Sequence, residues 1–187
     1  MRIPQQLRYL LILVLVCGSV ALAASKWTVQ PKESKLTFVG TQEGAQFTGV
    51  FERFTADIKF DPQDLAGSRF DVKIETASAK TRDDDRDQTL QSDDFFAVKQ
   101  YPTAHYVTDH ITARGGNKFS ATGKLTVRNV TRDVPIEFTF ESASGSAWLK
   151  GDAQLKRLDF GVGQGDWKDT KEVGDDVKIS FVLLLKP

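Results

Sequence analysis

The sequence predicts an all-β antiparallel chain, folded as a sandwich or a barrel of eight or nine strands. Apolar residues recur with a period of two in run after run beyond residue 33, as half-buried strands require. Residues that turn a chain by mechanism, Asp61-Pro62, Gly115-Gly116-Asn117, Asn129 and Ser144-Gly145-Ser146, fall between those runs. A single stretch, 81–100, lacks the alternation and predicts short helical structure instead.

The first 23 residues read as an address. Arg2 and Arg8 supply a basic start, and Leu10 to Val16 is an apolar run too short to span a bilayer well. Ala21-Leu22-Ala23 is a small-x-small cleavage site, so a signal peptide over 1–23 and an exported domain over 24–187 are expected. With Arg2 and Arg8 removed, the balance of 25 basic and 25 acidic side chains becomes 23 against 25. Leu15-Val16-Cys17-Gly18 loosely resembles a lipoprotein box that acylates Cys17, but Val16 stands where Gly, Ala or Ser belongs. If Cys17 leaves with the leader, the domain carries no cysteine.

The near-neutral balance argues against nucleic-acid binding, which needs a basic face. One cysteine excludes a disulfide scaffold and cysteine-rich zinc or iron–sulfur sites.

The strands follow in order. Ser34 to Gly40 holds Leu36 and Phe38; Ala45, Phe47, Gly49 and Phe51 then alternate on odd numbers. The apolar set switches to even numbers at Phe54, Ala56, Ile58 and Phe60, which predicts a bulge or sharp bend between Phe51 and Phe54. Phe70, Val72 and Ile74 continue the even set, followed by Ala104, Tyr106 and Thr108. The runs 119–127, 134–140, 147–155 and 177–185 complete the sheet. Within 81–100, acidic residues lead into Leu90 and into Phe95-Phe96, as at helix starts. Two helical turns beginning near Asp84 and Asp93 are expected, with Leu90, Phe95 and Phe96 facing inward.

Motifs for chemistry are weak. His105 and His110 fall on opposite strand faces by parity, and no nucleophile elbow or HExxH occurs. Asp83, Asp85, Asp87 and Asp94 have some of the spacing of a calcium loop, but Gln88 occupies the place that needs glycine. Gly161, Gly163 and Gly165 open no clear helix, so a flexible hairpin at a barrel rim is expected rather than a phosphate loop. No catalytic residue, metal or cofactor is assigned. Asn129-Val130-Thr131 matches a glycosylation sequon of a kind common by chance.

The 13 Phe carry the functional reading. Most lie on the apolar phase of a strand. Each can be a core residue, but a barrel of eight strands can also leave room for one small ligand. Rings beside the small residues Gly49, Ala56, Ala121, Gly123, Gly151 and Ala153 would wall a cavity suited to a long apolar molecule. The expected wall is Phe38, Phe47, Phe51, Phe54, Phe95, Phe96, Tyr106, Phe119, Phe138, Trp148, Phe160 and Phe181.

Specific motifs add to this reading. Trp27-Thr28-Val29, Gly49-Val50-Phe51, Arg86-Asp87, Asp94-Phe95-Phe96, Tyr101-Pro102-Thr103, Gly123-Lys124-Leu125-Thr126, Val130-Thr131-Arg132 and Asp159-Phe160-Gly161-Val162 occur in order across the chain beyond the leader. Together they resemble the YceI-like family. The resemblance implies an extended eight-stranded antiparallel lipocalin-like barrel with one or two short helices. It further implies that an isoprenoid lipid, a polyprenol or isoprenoid quinone, is bound in the bacterial periplasm. Arg86, Asp87 and Arg132 are the head-group candidates, with a structural Arg86–Asp87 ion pair as the alternative. Asn129 replaces the family's usual Gly, and Ala97 its usual Asp, which puts a local cap in doubt.

The leading expectation is a non-enzymatic carrier or sequestering protein whose 81–101 segment covers one mouth. The rivals are a protein-interaction or stress-related module with a solid core, and an enzyme using His105, Asp87 or Arg86. Docking at a membrane or membrane protein, and homodimerisation, stay open.

Overall fold

The computed structural model describes residues 25–187; the predicted leader, its cleavage site and Cys17 lie outside them. The described residues form β1 (Lys26–Val29), β2 (Lys35–Gln42), β3 (Ala45–Phe51), β4 (Phe54–Lys59), β5 (Arg69–Glu75) and β6 (Ala79–Lys80). Helix α1 (Asp84–Gln91) follows, then β7 (Thr103–Gly115), β8 (Lys118–Val127), β9 (Val130–Ala143), β10 (Ser146–Lys156) and β11 (Asp176–Lys186).

Eight strands close an antiparallel barrel in the order β1-β4-β5-β7-β8-β9-β10-β11, sealed where Thr28 and Val29 of β1 meet Lys186 and Leu185 of β11. Closure removes the unpaired edges that an open sheet would expose. β2 continues the wall from β1 along the same edge of β11, and β3 pairs with β2. The first wall position is thus interrupted at residues 30–34, and the second, β3 into β4, at Glu52–Arg53.

That second break is the predicted change of parity. Glu52 N donates to Ser78 O at 3.1 Å, and Arg53 N donates to Ser78 Oγ at 3.1 Å. The Ser78 hydroxyl in turn donates to Glu75 O at 2.7 Å, so one buried serine holds the bend. On the side away from β2, β3 pairs among the described residues only with the two residues of β6, at Val50–Lys80 and Phe51–Ala79. The segment carrying α1 fills the rest of that mouth.

Barrel depth sorts the aromatic rings. At the β1 end, Phe60 lies at the centre of a plug with Phe140 at 4.8 Å, Phe119 at 5.1 Å, Phe138 at 5.6 Å and Phe70 at 5.8 Å between ring centroids. Trp27 closes the cluster edge-on against Phe140 and donates its indole N–H to Phe60 O at 2.9 Å. Edge-to-face pairs of this kind add to area burial by matching ring edges to ring faces.

Two sequence expectations are corrected by register. A bulge between Thr108 and His110 returns the alternation of β7 to Ile111, so His105 and His110 share the outer face despite opposite parity. Trp148 faces outward, because Ala147 and Leu149 on either side are the buried residues of β10. The β8–β9 turn is kept with Asn129 in place of the family's usual Gly, and Arg128 takes the left-handed conformation at φ 55°.

Phe60 is 1 % exposed, and truncating it would leave a cavity amid four other Phe rings. Phe60→Ala is therefore expected to lower unfolding free energy by about 3–5 kcal/mol, measured by urea denaturation. A loss below about 1 kcal/mol would contradict this packing.

Candidate functional site

Above the plug the barrel is not filled. An internal cavity of about 200 Å³ runs beneath α1, walled almost wholly by apolar atoms. Phe38, Phe47 and Phe51 line it from β2 and β3, Phe54 from β4, and Phe181 from β11. Tyr106, Phe160, Phe95 and Phe96 complete the aromatic lining. Aliphatic residues such as Ile74, Leu125, Ile136 and Leu149 fill the spaces between rings. Burial pushes the Tyr106 phenol up, and its O–H donates to Val134 O at 3.2 Å, so no charge develops there.

Nine of the twelve predicted aromatics border this space. Phe119 and Phe138 do not, because they lie at plug depth and stack on each other at 5.4 Å. Trp148 stands outside the wall beside Lys150. Most of the small residues also differ from expectation: Ala153 lines the cavity, but the glycines seat rings. A Cβ on Gly49 would come within 2.2 Å of the Phe38 ring, and one on Gly123 within 2.5 Å of Tyr106.

The predicted cover is present. Asp83 caps α1 by accepting from Arg86 N at 2.9 Å, and Asp84, Asp85 and Asp87 lie in the first turn, where negative charge suits the helix dipole. Leu90 and Phe95 point into the cavity and are buried; Phe96 lines it beside Phe51. Ala97 holds its turn without the family's usual side chain, since its N–H donates to Ser92 O at 2.8 Å and its carbonyl accepts from Gln100 N and Tyr101 N.

Asp87 ties the cover to the wall. Its Oδ1 accepts from the Thr81 hydroxyl and the Thr81 N–H, each at 2.7 Å, and Lys80 Nζ lies 3.3 Å from Oδ2. Burial pushes this carboxyl up, but the Thr81 and Lys80 contacts outweigh it, and the net result is a lowered pKa.

The polar site candidates are dispersed. Arg86 lies over the Phe47 ring at 4.4 Å, donates to Gln42 Oε1 at 2.9 Å and pairs with Asp83 at 3.3 Å. No Arg86–Asp87 ion pair forms, since each side chain has another partner. Arg132 is exposed and donates to Thr131 O. None of the three borders the cavity. His105 meets Asp71 at 2.7 Å on the outer wall, and this hydrogen bond is the main cause holding the Asp71 carboxyl below its usual range. Among the described residues no acidic or histidine cluster is arranged for a metal ion, the Asp83–Asp94 stretch included.

Sequence reasoning missed Arg157. This guanidinium is 4 % exposed and borders the cavity. It donates to Val162 O at 2.9 Å, Trp167 O at 2.6 Å, Val173 O at 2.6 Å and Gly174 O at 3.0 Å. Burial lowers its pKa, and Asp175 acts against that. The Gly161–Gly165 segment is thus ordered around a buried cation rather than being a free hairpin tip. The segment also latches the cover: Gly163 N and Gln164 N both donate to Asp94 O, at 2.7 and 2.9 Å. Phe95 packs edge-on to Trp167 at 5.4 Å. Arg128 completes the latch by donating to Asp93 O at 2.8 Å and to Phe95 O.

Residues 27–185 match the YceI-like domain family. A UPF0312 protein of Pseudomonas savastanoi is 31% identical over 140 residues, 71% of each chain. A UPF0312 protein of Vibrio parahaemolyticus is 29% identical over 120 residues, 61% of this chain but 64% of that protein, a little under two thirds of its length. Among solved structures, Burkholderia cenocepacia BcnA superposes with a TM-score of 0.81 at 35% identity, covering 83% of this chain and 98% of that one. A polyisoprenoid binding domain from Saccharophagus degradans, implicated in plant cell wall breakdown, has the same fold with a TM-score of 0.66 at 13% identity. That match covers 87% of this chain and 98% of the other.

Two outcomes follow from this geometry. Gly163 adopts φ 91°, and a Cβ there would come within 1.9 Å of Arg157 Nη1, so Gly163→Ala is expected to destabilise by about 1–3 kcal/mol in thermal or urea unfolding. Because the folded Asp87 pKa is lowered, its stabilising effect is present above the unfolded value of about 3.9 and is lost as pH falls through the folded value. Amide exchange in α1 is therefore expected to show steady protection from pH 7 to 5 and a decline below about pH 4, after correction for intrinsic rates. Asp87→Asn should abolish that acid-dependent step; an unchanged step would contradict the assignment.

Proposed function

The chain belongs to the YceI-like domain family, and from that premise we propose that it is an exported, non-enzymatic carrier for a long isoprenoid lipid. The observation that carries the reading is the apolar cavity under a latched cover, with Thr76 and Arg157 as its only non-apolar lining side chains among the described residues apart from the Tyr106 hydroxyl. Arg157 is occupied by four carbonyls, so the interior offers a ligand apolar contact rather than chemistry. Each CH₂ moved into such a space contributes roughly 0.8 kcal/mol, enough for a prenyl tail to bind without a polar contact. The Saccharophagus degradans domain, described as polyisoprenoid-binding, supports this ligand class through its shared barrel; polyprenols and isoprenoid quinones both have tails of this kind.

The leader-like residues 1–23 support export, and a periplasmic site of action is part of the proposal. A protein-docking module is the less favoured reading. It would present apolar surface outward, whereas Val182 is the one large hydrophobic side chain exposed among the described residues.

Protein purified from membranes-in extract and weighed by native mass spectrometry is expected to carry a discrete lipid mass that organic extraction identifies as isoprenoid. Ala153→Phe, which adds a ring to the cavity wall, should reduce the captured fraction several-fold. Protein that stays ligand-free and takes up neither a polyprenol nor an isoprenoid quinone would overturn the proposal.

A further inference from the structure

The barrel wall is unzipped at one place. β1 pairs with β4 from Lys26–Lys59 to Thr28–Asp57, and β2 pairs with β3 from Thr37–Val50 onward. Between those ladders, residues 29–36 and 51–56 face each other with no backbone pairing. The interruption at 30–34 and the Ser78-held bend at Glu52–Arg53 fall at the same height, and together they make a window.

A cleft of about 710 Å³ lies on the outer face of that window. Leu36, Phe51 and Phe54 border both the cleft and the internal cavity, so the two spaces are separated by side chains rather than by hydrogen-bonded backbone. Side chains change rotamer far faster than a ladder opens. The rim is charged. Lys35, Arg53 and Lys73 stand with Glu52 and Glu75 around it, and Arg53 Nε bonds Glu75 Oε2 at 2.6 Å. Lys35 and Lys73 have no ion-pair partner among the described residues.

An amphiphile in this barrel must put its head somewhere wet, because burying an unpaired charge in an apolar interior is prohibitive. The interior cannot receive it: four of the five Arg157 N–H donors are already spent on carbonyls. Arg86 and Arg132 do not border the cavity. The window is where apolar space and uncommitted cations lie one side chain apart. We propose that it is a lateral mouth of the cavity and the seat of an anionic lipid head group, a phosphate or carboxylate, held by Lys35 and Lys73 while the tail passes between Leu36, Phe51 and Phe54. This rests on the lipid-carrier reading above.

The test compares geranylgeranyl phosphate with geranylgeraniol, which share a tail and differ in the head, by titration at moderate salt. Wild-type protein is expected to bind both and to prefer the phosphate. In Lys35→Glu/Lys73→Glu the ratio of the two affinities should fall about tenfold. Lys118→Glu/Lys150→Glu makes the same change of net charge elsewhere on the barrel and should keep the wild-type ratio. Inorganic phosphate at the same concentrations should not displace geranylgeranyl phosphate. Absence of preference in the wild type, an unchanged ratio in the window variant, an equal fall in the control or displacement by inorganic phosphate would each overturn the lateral seat and leave the carrier reading standing. Failure of the wild type to bind either lipid would overturn both.

Discussion

A barrel wall exists only where every strand offers its neighbour an unbroken row of N–H and C=O groups. The functional features of this chain sit where that row is kept or given up. It is kept around β1-β4-β5-β7-β8-β9-β10-β11, which closes the ring. It is given up along the side of β3 away from β2, where two residues of β6 and the α1 segment complete the mouth. It is also given up between residues 29–36 and 51–56. Rigid wall, cover and lateral gap are therefore three consequences of one pairing pattern.

Inside that wall, depth along the barrel axis decides what an aromatic ring does. Phe60, Phe119, Phe138 and Phe140 crowd together at the β1 end and exclude space, and Phe70 packs on them while bordering the cavity. Phe38, Phe47, Phe51 and Phe54, on the strands flanking the gap, enclose it. The same residue type on the same strand phase thus serves as packing or as lining. The difference arises from how many rings meet at one level.

Strand phase was legible from alternation, including the change of parity at Phe51–Phe54 that became the Ser78-held bend. The helix of the cover was legible from the acidic residues ahead of Leu90, but the second helical turn expected near Asp93 is a run of tight turns that carries Phe95 and Phe96 inward. Ring depth was not legible: Phe119 and Leu125 share a parity, and only the register places one in the plug and the other on the cavity. The histidine faces were hidden by a bulge that leaves no mark in composition. Trp148 was misplaced although its neighbours Ala147 and Leu149 already pointed the other way. Arg157 gave no local sign, since its four acceptors come from a loop extending to residue 174.

The latch over the cavity is made of main-chain atoms on the cover's side. Asp93, Asp94 and Phe95 contribute carbonyl oxygens to Arg128, Gly163 and Gln164, and none of those bonds uses a side chain of the cover. Those bonds do not depend on the side chains at positions 93 and 94, while Phe95 adds its ring against Trp167. The side chains of Asp93 and Asp94 are thereby freed from holding the cover shut, a task that the Asp87 carboxylate performs at the helix. A lineage or an engineer can rewrite the Phe96 side chain that the cover turns toward the ligand without touching those bonds, so long as the three carbonyls keep their places.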